Sequence, residues 1–335
     1  MEYRQLGRTG VRVSALCFGT MSFGDAADEA TSVAMYRRCR EAGIDFFDCA
    51  NVYAGGRSEE ILGKLIASER NRLVITSKVG FSMGPGPNDW GLSRRHILSS
   101  VEASLKRLRA DWLDILFLHR FDPTTPIEES LRAVDQLVRH GKVNAVGVSN
   151  WAAWQIAKGL GLAALHDLAG IACVQPMYSL AKRQAEVEIL PLAQAEGLGV
   201  ITYSPLGGGL LSGKYGVGRR PEKGRLVENE MYRARYREET YYEVAERFTA
   251  FAGERGVHPA TLAVAWVRRH PAVTAPILGA RNLEQLESSL AAADYAMDDE
   301  TYEALCALSP APPLATDRAD EQAGLSYKGS AEKYK

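Results

Sequence analysis

Short apolar runs rich in β-branched and aromatic residues alternate along this chain with longer stretches in which apolar residues recur every three or four positions. The runs are ALCFG (15–19), DFFDCA (45–50), LVITSKV (73–79), LDILFLH (113–119), NAVGVSN (144–150), ACVQPMY (172–178), GVITYSP (199–205) and VTAPILG (273–279). Their length and composition predict strands. Between them, HILSSVEASLKRL places Ile97, Val101, Leu105 and Leu108 on one helical face, and IEESLRAVDQLV does the same with Ile127, Leu131, Val134 and Val138. Strand then helix, eight times over, predicts a parallel sheet covered by helices. No linker-like composition intervenes before residue 309, which favours one closed (β/α)8 TIM barrel over residues 1–308 rather than an open doubly wound sheet. The opening YRQLGRTGVRVS (3–14) sets a Gly-containing turn between two extended runs; it predicts a β-hairpin plugging the bottom of the barrel.

Two segments break the rhythm. Residues 217–239, after the seventh strand, are densely charged and predict a mobile lid or a solvated surface. From Ser309 the chain carries Pro310, Pro312 and Pro313 and then mostly polar residues, predicting a loosely ordered, extended C-terminal tail over 309–335.

Composition narrows the partners. Forty basic and 41 acidic residues leave a formal net charge of −1, so no global field draws the chain to nucleic acid or an anionic membrane. A small-molecule partner is expected; nothing in the sequence marks an oligomeric interface. The five cysteines are widely spaced with no C-x-x-C pair, which predicts reduced, packed thiols rather than a disulfide framework or a zinc ribbon. The N-terminus lacks the layout of a secretory signal and no long apolar run suggests a membrane span, so a cytoplasmic location is expected.

In such barrels reactive groups come from the C-terminal ends of the strands. Asp48, Tyr53, Lys78, His119, Ser149, Asn150, Gln175, Tyr203, Ser204 and the stretch Gly279 to Arg281 all fall at or just after predicted strand ends. Any one of them is explained by proximity to solvent. Lys78 is harder to dismiss, because ITSKVG sets a long cation between apolar residues of a strand expected to be interior. Burying an ammonium costs several kcal/mol unless a partner offsets it. Asp48, one strand away, is the natural partner. A charged lysine there would favour the phenolate of a nearby tyrosine, which predicts a Tyr53 pKa lowered from about 10 toward neutrality. Tyr53 is then a candidate general acid toward a carbonyl oxygen, with His119 as hydrogen-bond donor or proton partner.

These residues, in this order, resemble the aldo-keto reductases. The D-x-A-x-x-Y pattern is Asp48 to Tyr53, continuing through YAGGRSEEILGK; Lys78 follows in TSKVG, His119 in FLHR, then GVSN (147–150) and YSPLGGGLLSGK. The resemblance spans residues 15–295. It implies a barrel that binds extended NADPH and reduces an aldehyde or ketone reversibly, with Tyr53 the proton donor, Lys78 and Asp48 tuning it and His119 orienting the carbonyl. It implies that Ser149, Asn150 and Gln175 hold the nicotinamide carboxamide and that Tyr203 stacks on the ring. Ser204 would stand with Tyr203 at the nicotinamide end, and Leu206, Gly208, Ser212 and Lys214 would cover the pyrophosphate. Beyond Gly279, Arg281 would pair with the 2′-phosphate and Gln285 would face the adenine, favouring NADPH over NADH. Ser288-Ser289 stand where the family commonly has Glu-Asn, so the adenine end is differently furnished. The same resemblance extends to channel-associated β subunits, which implies an alternative: an NADPH-binding, redox-sensing regulatory subunit with slow turnover.

Position at the barrel mouth makes Phe23, Tyr53, Trp90, Phe121 and Trp151 candidate substrate contacts. Other chemical-looking signals fail on context. Gly208, Gly213 and Lys214 nearly spell the triphosphate-binding G-x-x-x-x-G-K, but Tyr215 replaces the metal-holding Ser or Thr. GLGLAA (159–164) matches a loose dinucleotide fingerprint yet follows a helical stretch rather than a strand. The six histidines form no H-x-H or H-E-x-x-H, so no metal is expected. Strand alternation turns Cys49 away from Asp48, and Arg219, Arg220, Arg225, Arg233, Arg235 and Arg237, interleaved with acidic residues, predict a solvated face.

Overall fold

The computed structural model describes residues 1–317. Strands β1 (Tyr3–Gln5) and β2 (Arg12–Ser14) form an antiparallel hairpin. The next eight, β3 (Cys17–Gly19), β4 (Phe46–Asp48), β5 (Val74–Val79), β6 (Leu113–Leu118), β7 (Val143–Ser149), β8 (Ile171–Gln175), β9 (Gly199–Thr202) and β10 (Ala275–Leu278), pair in parallel, and β10 returns to β3 to close a barrel. All eight predicted strands are present.

The helices follow in turn: α1 (Glu29–Glu41), α2 (Arg57–Ile66), α3 (Arg94–Leu108), α4 (Ile127–Arg139), α5 (Ala153–Leu165) and α6 (Ile189–Glu196). After β9 come α7 (Arg225–Glu228), α8 (Glu230–Arg235), α9 (Glu239–Glu254) and α10 (Pro259–Arg269), and after β10 come α11 (Leu283–Leu290) and α12 (Asp299–Ala307). Starts are set by side chains that take up free backbone N–H groups. Asp28 accepts from Thr31 N at 2.8 Å and Asn282 from Gln285 N at 3.0 Å. On α4, Ile127, Leu131, Val134 and Leu137 are buried, whereas Val138, expected on that face, is only half-buried. The 3.6-residue period reaches 137 before 138. Each such buried aliphatic contributes about 1.5–3 kcal/mol. The GLGLAA stretch lies inside α5, as its helical flank requires.

The lower barrel is filled by the inward residues Cys17, Phe46, Val74, Ile115, Phe117, Cys173, Ile201, Ala275 and Ile277, closed from below by Leu6 and Val13 of the hairpin. The hairpin is the expected plug. Gly147 faces Phe117 so closely that a Cβ there would come within 2.3 Å of the ring, and the β7–β8 register shifts at this point.

Two expectations change. Segment 217–239 is not simply lid or solvated surface: Leu226 of α7, Tyr232 of α8 and Tyr236 just after it are buried against the Gly207-Gly208 turn that follows β9. The seventh predicted strand ends at Thr202 rather than 205, because Ser204 adopts φ +60° and Pro205 has no N–H to continue a ladder. The predicted tail (309–335) runs without helix or strand to residue 317, and its remainder lies outside the described residues. Among the described residues, no helix is long and apolar enough to cross a membrane.

Candidate active site

Successive side chains of a strand point to opposite faces, so every second residue points inward. Two positions beyond Phe46, Phe117, Cys173 and Ile201 stand Asp48, His119, Gln175 and Tyr203; Lys78 and Ser149 hold the same level on β5 and β7. The fold thus stacks a polar layer on the apolar one, at the C-terminal end of the barrel. Cys49, the alternate residue, is buried on the outer side, 3.3 Å from Ser58 Oγ.

Lys78 is fully buried. Its Nζ donates to Asp48 Oδ2 (2.5 Å), the Cys49 carbonyl (2.8 Å) and Tyr53 Oη (3.1 Å), using all three ammonium hydrogens. Burial opposes its charge, but Asp48 and Tyr53 outweigh it and hold the lysine pKa above its ordinary value. Asp48 Oδ1 accepts from Thr76 Oγ1 (2.8 Å) and Gln175 Nε2 (2.9 Å), so both carboxylate oxygens are satisfied. Thr76 has the ordinary composition of a strand residue, and only the pairing of residue 48 with 76 across β4 and β5 reveals its role.

Tyr53 differs from its expectation. Its pKa is pushed up to about 12, not down: burial is the largest cause, Lys78 pulls the other way, and the charge of Asp48 raises it again. The lysine's positive charge is largely matched by the aspartate, leaving desolvation to decide. The phenol is therefore protonated at neutral pH, as a proton donor must be. His119 is pushed well below the usual histidine range, by burial first and by Lys78 second. Its Nδ1 is buried without a partner. An unpaired lone pair costs less than an unpaired buried N–H, which favours the tautomer carrying its proton on Nε2. Phe81 packs edge-on against the ring at 4.6 Å between centroids.

A cavity of ≈ 680 Å³ opens above this layer. Asp48, Tyr53 and His119 border one end, with Lys78 beneath. From there the walls pass Ser149, Asn150, Gln175, Tyr203, Ser204, Leu206, Gly208, Ser212 and Lys214, and reach Gly279, Arg281, Gln285, Ser288 and Ser289 at the far end. Asn150 donates to the His119 carbonyl (2.9 Å) and accepts from Tyr203 Oη (2.7 Å). Asn150 and Ser204 both hold positive φ, +58° and +60°, a cost that the surrounding hydrogen bonds sustain.

Of the five residues expected at the mouth by position, Tyr53 borders this cavity and the other four do not. Phe23 is fully buried, packed on Phe18 at 5.8 Å. Phe121 stacks edge-on with Trp151 (5.3 Å) and Trp154 (6.1 Å). Trp151 is buried and borders a separate ≈ 210 Å³ cavity, while Trp90 lies partly exposed outside both. In their place the walls carry Met21, Phe81, Met231 and Tyr232. Phe81, three residues after Lys78 in the loop following β5, could have been found by position; Met231 and Tyr232 could not, because they arrive from the charged segment. Arg225 and Arg235 also border the cavity, in contrast to the solvated face expected for that segment.

The donor set fits a dinucleotide. One end offers the amides of Asn150 and Gln175; the remainder offers cations, and Lys214 and Arg225 form no ion pair among the described residues. No cluster of His, Cys, Asp and Glu suited to a metal ion occurs among the described residues.

A closed parallel barrel with a buried Asp-Lys-Tyr network and a histidine under an elongated cavity is the arrangement of an oxidoreductase. The family model "Aldo/keto reductase family" matches residues 15–309, and the chain belongs to that family, which generally uses NAD(P)H. It is 40% identical over 303 residues to a probable voltage-gated potassium channel subunit beta of Arabidopsis thaliana (88% of this chain, 92% of that one). It is 39% identical over 334 residues to the uncharacterized oxidoreductase YrpG of Bacillus subtilis (95% and 99%). A putative voltage-gated potassium channel subunit beta of Schizosaccharomyces pombe is 36% identical over 306 residues (88% and 89%).

Proposed function

We propose that the protein is an NADPH-dependent carbonyl reductase that converts an aldehyde or ketone to the alcohol, with Tyr53 as proton donor. The observation that carries this reading is the 3.1 Å contact between Lys78 Nζ and Tyr53 Oη at the closed end of the cavity. The dihydronicotinamide, when bound, supplies the hydride. Asn150, Gln175 and Ser149 would hold its carboxamide, with Tyr203 and Ser204 at the nicotinamide end; Leu206, Gly208, Ser212 and Lys214 would hold the pyrophosphate. Arg281 would pair with the 2′-phosphate and Gln285 would serve the adenine side, the basis for preferring NADPH.

At the reacting end, the Tyr53 hydroxyl donates a hydrogen bond to the substrate oxygen and transfers its proton as negative charge develops there. His119, neutral, donates from Nε2 to the same oxygen. Lys78 stabilises the tyrosinate that remains, and Asp48 keeps Lys78 charged. Purified protein with NADPH and a panel of aldehydes and ketones, followed by cofactor absorbance, tests the reading. Arg281→Ala should raise the NADPH dissociation constant roughly 10-fold or more, the loss of one charge-assisted pair, with little change for NADH.

The channel β names of two relatives favour a second reading, an NADPH-binding regulatory subunit with slow turnover. Cofactor release slower than minutes, with negligible turnover across the panel, would support it over the first.

A further inference from the structure

We propose that Arg235 anchors a negatively charged group on the substrate, so that the enzyme prefers carbonyl compounds bearing a carboxylate. The inference rests on the reductase reading above. Three observations carry it. Arg235 borders the cavity, half-buried. Its guanidinium lies 5.1 Å from the centroid of the Tyr232 ring and makes no ion pair or hydrogen bond among the described residues. Other arginines of the same segment are engaged: Arg219 on the Tyr215 carbonyl, Arg220 with Glu239 (3.2 Å), Arg233 on the Val227 carbonyl. A partly desolvated guanidinium with free N–H donors facing a cavity calls for an acceptor from outside the chain.

Position assigns that acceptor to the substrate rather than to the cofactor phosphates. Tyr232 crosses the chain at Gly208, where an added Cβ would come within 2.7 Å of its ring. Toward the adenine end, Glu228 reaches Arg281 at 3.9 Å. Toward the other end, the next residue, Tyr236, reaches Met177 Sδ at 4.0 Å, and Met177 pairs with Tyr203, whose hydroxyl lies within the field of Arg235. That hydroxyl bonds Asn150, which bonds the His119 carbonyl. Arg235 therefore lies on the Tyr203 side of the cavity, and the apolar Met21, Phe81 and Met231 share the walls. A carbonyl on Tyr53, an apolar body and an anion on Arg235 satisfy the site together.

The test compares 4-carboxybenzaldehyde with its methyl ester as substrates, and 4-(hydroxymethyl)benzoate with its methyl ester as calorimetric ligands of the NADP+-loaded protein. The expected result is a higher kcat/KM for the acid, with Arg235→Met lowering the acid-to-ester ratio on the order of 10- to 100-fold through KM, and Arg235→Lys retaining part of it. A ratio near one, or one that Arg235→Met does not move, overturns the proposal. So does a variant whose main defect is weaker NADPH binding. If neither aldehyde is reduced, the reductase reading fails, and calorimetry decides on its own: Arg235-dependent preference for the benzoate upholds the anion site, and equal binding of acid and ester overturns it.

Discussion

The ammonium of Lys78 and the phenol of Tyr53, 25 positions apart in sequence, meet at 3.1 Å beneath the cavity, with Asp48 2.5 Å from the same nitrogen. The aspartate has two separable consequences. It keeps the ammonium charged, and it offsets the field that the ammonium exerts on the tyrosine.

Lys78→Met removes one partner of a buried ion pair, leaving the Asp48 carboxylate buried with Thr76 and Gln175 alone. Breaking such a pair costs about 3–5 kcal/mol, read as a lower midpoint in urea unfolding. Adding Asp48→Asn removes the stranded charge and should recover much of that stability. Reduction should remain at least about 100-fold impaired in the double variant, since Tyr53 then has no cation beside it.

The pH response follows from two groups. Tyr53, with its pKa pushed up to about 12, keeps its proton throughout the neutral range, and His119, pushed well below the usual range, stays uncharged. Neither titrates between about pH 7 and 10, so the pH profile of kcat for reduction should be flat there. Stability behaves differently on the acid side. Below about pH 6.5 the unfolded chain binds protons at His119, His96 and His270 that the folded state, in which all three are depressed chiefly by burial, refuses. The unfolding free energy is full above that pH and falls as the pH drops toward the folded-state values. The urea midpoint should decline from pH 7 to 5, less steeply in His119→Gln.

Gly208 holds φ +69° and faces the Tyr232 ring so closely that a Cβ would sit 2.7 Å from it. Gly208→Ala must strain the turn or displace the segment carrying Leu226, Tyr232 and Arg235. Because that turn borders the cavity's middle, the expected result is at least a 10-fold weaker NADPH affinity by tryptophan-fluorescence titration, with a urea midpoint shifted much less than in Lys78→Met.

The barrel and its polar layer were legible in the sequence because both follow from short-range periodicity. Strand alternation alone puts Asp48, Lys78, His119, Ser149, Gln175 and Tyr203 on one face at one level. What escaped was set by balance or by long-range packing. The direction of the Tyr53 pKa turned on whether burial exceeded a cation already matched by Asp48, a difference of large terms that residue identity does not fix. Phe23 looked like a mouth residue because it follows a strand end, but the chain turns inward there and Phe18 covers it. Arg225, Tyr232 and Arg235 sit in a segment whose charge density reads as surface; only tertiary packing of Leu226, Tyr232 and Tyr236 turns their neighbours toward the cavity.

The central claim is proton donation by Tyr53, and Tyr53→Phe tests it most directly, because the change removes one oxygen while Lys78 keeps its bonds to Asp48 and the Cys49 carbonyl. NADPH affinity and single-turnover carbonyl reduction are measured on the same preparation. The account predicts NADPH binding within about threefold of the parent and a reduction rate lower by about 100-fold or more, the usual contribution of a positioned general acid. A variant that binds NADPH normally and reduces the carbonyl at the parent rate would contradict it.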